Sequence, residues 1–98
     1  MSELTEKQKK YLRGLAHDRD PIVMIGQSGL TPGIAKELDI ALGAHELVKV
    51  RARVGDRTER DDLLAKLAAQ TDSALVYRIG NVGIFYRRSK DKPRIILP

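Results

Sequence analysis

Pro21-Ile22-Val23-Met24-Ile25-Gly26-Gln27-Ser28-Gly29-Leu30-Thr31-Pro32 is the stretch on which the fold turns. Pro21 disfavours helical geometry at Asp20 and launches an extended segment. Ile22-Val23-Met24-Ile25 is a short, unbroken apolar run. It predicts a strand buried on both faces, as in a parallel sheet covered on both sides. Gly26-Gln27-Ser28-Gly29 ends that strand. Thr31 is a good N-cap, and Pro32 suits the first helical position. Strand, glycine loop and helix make the first half of a strand–helix–strand crossover.

Downstream, the second helix is expected over residues 32–43, with Ile34, Leu38, Ala41 and Leu42 facing the core and Gly43 as the stop. Residues 47–54 alternate. Val48, Val50, Ala52 and Val54 share one face; Leu47, Lys49, Arg51 and Arg53 share the other, read as basic and wet. Asp56 and Glu59 have capping-box spacing and open a third helix, whose buried stripe is Leu63, Leu64, Leu67 and Ala68 and whose end falls near Thr71-Asp72. Residues 75–79 and 82–87 read as two strands, joined by the tight-turn pair Gly80-Asn81 into an antiparallel hairpin. Upstream, Thr5 and Gln8 have capping-box spacing at the head of a helix over 5–17. Its apolar stripe is Leu4, Tyr11, Leu12, Leu15 and Ala16. The order is α-β-α-β-α-β-β: an α/β fold with a four-stranded mixed sheet and packed helices. Both strand–helix–strand units are expected to be right-handed and to give parallel pairs.

Length and charge bound the function. A chain of 98 residues is one domain by size. Residues 91–98 read as a tail that docks on the body or frays. With no cysteine, disulfide scaffolds, thiolate metal sites and Cys nucleophiles are excluded. No apolar run nears the roughly 20 residues of a bilayer span, and MSELTEKQKK has no apolar leader core. A cytoplasmic monomer without a membrane partner is the expectation. A formal charge of +5 biases the chain toward polyanions such as nucleic acid.

Signatures of catalysis are poor. The glycine loop lacks the lysine of a P-loop and the spacing of a dinucleotide fingerprint. His17 and His45 are not at metal-ligand spacing. His45-Glu46 reads as a loop-bonding pair before an acid–base pair. Asp61-Asp62 do not share a helix face. No catalytic residue, metal, cofactor or small-molecule substrate is expected. The loop Gly26, Gln27, Ser28, Gly29 does suit a sugar–phosphate chain. Glycines admit close backbone approach, and the helix after them offers free N–H groups. Lys49, Arg51 and Arg53 place three cations within about 14 Å on one strand face. Arg87 and Arg88, beside Phe85 and Tyr86, are candidates for contact with a stacked base.

Leu12-Arg13-Gly14-Leu15-Ala16-His17, Pro21-Ile22-Val23, Ile25-Gly26-Gln27-Ser28-Gly29-Leu30-Thr31 and His45-Glu46-Leu47-Val48-Lys49-Val50 resemble the CRM domain family. The likeness is greatest to its bacterial stand-alone, YhbY-type members, and continues through Ile79-Gly80 and Tyr86-Arg87. The resemblance implies an RNA-binding module with a core similar to the C-terminal domain of translation initiation factor three. It further implies association with ribosomal RNA in precursors of the large ribosomal subunit and assistance in their assembly. It assigns the RNA contact to Gly26, Gln27, Ser28 and Gly29, with Arg13 and Lys49 as supporting cations. No lysine or arginine stands between the two glycines, so the backbone and nearby cations must make that contact. The alternative is a protein-interaction adaptor on the ribosome that docks through the apolar tail without touching RNA.

Overall fold

The computed structural model describes residues 3–98. Met1 and Ser2, the head of the stretch read as lacking an apolar leader, lie outside the described residues. The elements are α1 (Glu6–Ala16), β1 (Val23–Ile25), α2 (Pro32–His45), β2 (Leu47–Ala52), α3 (Arg57–Gln70), β3 (Ala74–Ile79) and β4 (Val82–Tyr86). Each helix starts where a side-chain oxygen caps it. Thr5 and Gln8 complete a reciprocal capping box, Thr31 accepts from the Ile34 N–H, and Asp56 accepts from the Glu59 N–H.

The four strands lie in the order β1-β2-β4-β3. β1 and β2 are parallel, with Val23 beside Val50 and Ile25 beside Ala52. β4 is antiparallel to both β2 and β3. The second crossover therefore does not end in a parallel neighbour, as expected from sequence, because β4 occupies the slot between β2 and β3. Burial explains which hairpin arm goes inside. β4 is apolar on both faces, with Ile84 and Tyr86 on one and Phe85 on the other, all buried; β3 exposes Tyr77 and Ile79 and suits an edge. Gly83 lets β4 approach α3: a Cβ there would meet the Leu64 methyls at 3.2 Å.

Helices cover both sheet faces. α2 and α3 bury Leu38, Leu42, Leu64 and Leu67 against Val23, Ile25, Val48, Val50 and Phe85. α1 lays Leu12 and Ala16 on Leu47, Val76, Ile84 and Tyr86. Only the Leu12–Ala16 line of α1 is buried against the sheet, so Tyr11 and Leu15, expected in its buried stripe, stay exposed. α1 packs over β2, β3 and β4 and leaves β1 open on its side. β1, the edge strand, consequently has one buried face: Met24 is 51% exposed, against the expectation of burial on both faces.

α2 runs two residues past Gly43, the expected stop, and the chain reverses at Glu46, with φ +61°. A non-glycine residue at positive φ costs roughly 1–2 kcal/mol. At Glu46 that cost is offset by its side chain. The carboxylate is buried and accepts backbone N–H bonds from Ser89 at 2.7 Å, Arg94 at 2.7 Å and Ile95 at 2.9 Å. These bonds seat the tail, and Ile95 and Leu97 pack against the α1-side core.

Candidate nucleic-acid interface

The glycine loop is fixed at both ends by core residues. Ile25 is buried before it, and Leu30 packs on the α2–α3 core after it. Between them the chain makes a tight turn, closed by the Gly29 N–H donating to Gly26 O at 3.0 Å. Gly29 adopts φ +71°, where a side chain would be strained; Gly26 does not, and no atom lies within 4 Å of a Cβ built at either glycine. Gly26, Gln27 and Ser28 are exposed. Both variable positions thus face solvent.

Arg53 adjoins this loop. Its N–H donates to Ile25 O at 2.9 Å, which extends the β1–β2 ladder to the first glycine. Lys49 and Arg51 precede it at alternate positions, on the face that α1 only half covers. The expected wet face is therefore graded. Leu47 is buried under α1, Lys49 and Arg51 are half-buried, and Arg53 is exposed. Met24 lies beside Arg51 across the parallel ladder, which adds an apolar side chain to the open half.

Arg13 comes to the same region from α1. Its guanidinium sits 4.0 Å above the Tyr77 ring centroid, a cation–π contact that holds the side chain over the sheet. Arg13 and Lys49 line one cleft of about 540 Å³, joined there by Lys10 and His17. Sequence reasoning did not place those last two at the RNA contact. The signal was present, since Lys10, Arg13 and His17 recur at helical spacing.

Arg87 and Arg88 are not brought to this surface. Tyr86 pairs with Leu47 at the start of β2, so both arginines lie at the far end of the strand from Arg53, about 20 Å away at strand rise. The Arg87 guanidinium is engaged there with Asp39 and the Thr71 carbonyl. Phe85 and Tyr86 are core residues and present no face to a base. Burial raises the Tyr86 hydroxyl above its ordinary value, and the Glu46 charge acts in the same sense.

Fold and site define an α/β domain that presents a largely exposed glycine loop beside a row of cations. The family model described as CRS1 / YhbY (CRM) domain matches residues 4–87, and the chain belongs to that family. It is 40% identical over 98 residues to an "RNA-binding protein" of Haemophilus influenzae, covering 100% of this chain and 98% of that one. It is 37% identical to a "Probable RNA-binding protein" of Bacillus subtilis over 95 residues, covering 97% of this chain and 99% of that one. A hypothetical protein of Staphylococcus aureus, solved in solution, superposes with a TM-score of 0.86 at 41% identity, covering 98% of this chain and 100% of that one.

Proposed function

We propose that this protein binds ribosomal RNA in precursors of the large ribosomal subunit and assists their assembly, acting as a cytoplasmic monomer without a catalytic step. The observation that carries the RNA contact is the continuity of the site. The Gly26–Gly29 turn, Arg53 bonded to Ile25, and Lys49 and Arg51 on the same strand form one surface. A phosphate at the turn meets backbone rather than side chains, and its neighbours along the strand meet cations. The names of the bacterial relatives support RNA as the ligand. The restriction to large-subunit precursors rests on the family resemblance of the motifs.

The adaptor reading draws less support. Ile95 and Leu97 are turned into the protein, and of the tail's aliphatic Ile and Leu side chains Ile96 is the strongly exposed one, at 86%. Sedimentation of cell extracts tests the proposal. The protein is expected to travel with large-subunit precursors and to leave them after RNase treatment. Retention on RNase-stripped particles would favour the adaptor.

A further inference from the structure

A second cleft lies on the other side of Lys49, between the α1–β1 connector and the tail. It holds about 440 Å³ and is lined by Arg19, Asp20, Ile22, His45, Lys49 and Arg94. Two arginines, one lysine and one histidine thus line the cleft together with one aspartate. The two arginines are oriented by main-chain carbonyls. Arg19 Nη1 donates to Leu47 O at 2.9 Å, and Arg94 Nη1 donates to Ala44 O. A guanidinium has five N–H donors, so each keeps others for a ligand.

Arg94 comes to this cleft from outside the segment that matches the family, which ends at residue 87. What brings it there is Glu46. The buried carboxylate binds the Arg94 and Ile95 amides together, and the Ser89 amide fixes the start of the same segment. A buried carboxylate with three backbone donors leaves the tail little freedom at Arg94.

Resting on the RNA-binding reading above, we infer that this cleft binds a backbone phosphate of the same RNA through Arg94 and Arg19, and that Glu46 is the positioning residue that holds Arg94 in place. Lys49 lines both clefts and joins this subsite to the cations around Arg13. The RNA path then runs from the glycine loop along β2 and past Lys49 to the tail.

The test is filter binding of purified large-subunit ribosomal RNA across a salt series. Arg94 and Arg19 are exposed, so Arg94→Gln and Arg19→Gln should fold normally. Losing one phosphate contact should lower the salt slope by about 0.7–0.9 and the affinity about five- to eight-fold near 0.1 M salt. Glu46→Gln should weaken binding by the same factor as Arg94→Gln, and the double variant should lose no more than either alone. That non-additivity separates positioning from a general loss of stability. Unchanged affinity and slope in Arg94→Gln and Arg19→Gln, with Arg51→Gln/Arg53→Gln weakened, would overturn the tail subsite and leave the RNA-binding reading standing. Failure of the unmodified protein to bind the RNA would overturn both.

Discussion

Arg87 grips Asp39 twice: Nη1 lies 2.6 Å from a carboxylate oxygen, and Nη2 donates to the Asp39 carbonyl at 2.9 Å. The same Nη1 donates to Thr71 O at 2.8 Å, so one side chain ties the end of β4 to α2 and to the end of α3. Arg87→Gln should cost about 1.5–2 kcal/mol, the lower part of the range for charged hydrogen bonds because Asp39 is largely solvated. The melting temperature should drop by about 4–8 °C per kcal/mol. RNA affinity per folded molecule should not change. Lost affinity at an unchanged melting temperature would return Arg87 to the binding surface.

In the glycine loop, charge and backbone strain act at different positions. Gly29→Ala forces a Cβ onto φ +71° and should destabilise by about 1 kcal/mol. Gly26→Asp meets open space at ordinary φ, so it adds a carboxylate with little strain. RNA binding should fall in Gly26→Asp while thermal stability holds. Gly29→Asp combines both effects and should lose affinity and stability together. Equal RNA binding by wild type and folded Gly26→Asp would remove the loop from the interface.

Arg51→Gln/Arg53→Gln tests the strand row. With two phosphate contacts gone, the slope of log affinity against log salt should become shallower by about 1.4–1.8. Arg53 is exposed and Arg51 half-buried, so the melting temperature should move little. A large thermal shift would mean that these side chains pack rather than bind.

Glu46 gives the tail a pH dependence. Burial alone would raise its carboxyl. The N–H bonds from Ser89, Arg94 and Ile95, with the Arg94 charge, outweigh burial and hold it below the ordinary 4.5. A carboxyl depressed in the folded state stabilises at pH above its unfolded value, and that contribution is lost as pH falls through the folded value. The tail should therefore stay seated at neutral pH and release in acid. The amide resonances of Ser89, Arg94 and Ile95 should shift together, with a midpoint below 4.5. A midpoint above that value would mean that burial dominates the three donors.

Helix starts, the β1 loop and the Gly80-Asn81 hairpin were legible because their determinants are local. Thr5 with Gln8, and Asp56 with Glu59, act across one helical turn, so their spacing in the chain is their geometry. The cation row on β2 was legible for the same reason, since alternation along a strand assigns faces. The degree to which each cation is covered was not, because it depends on where α1 ends over the sheet.

Other features rest on partners far apart in sequence. Glu46 meets amides 43 to 49 residues away, and Arg87 meets Asp39 across 48. The loop-bonding reading of His45-Glu46 holds for Glu46, but nothing local to Glu46 or Arg87 says which distant groups it will meet. A glycine at position 43 was the visible helix stop, yet the chain turns at Glu46, because a carboxylate there can gather three tail N–H groups. Likewise, sequence determined that β3 and β4 form a hairpin. Only packing decided that β4, apolar on both faces, takes the interior slot beside β2 while β3 takes the edge. Local hydrogen bonds and periodicity are written in adjacent residues; burial and long-range pairing exist only once the helices have chosen which parts of the sheet to cover.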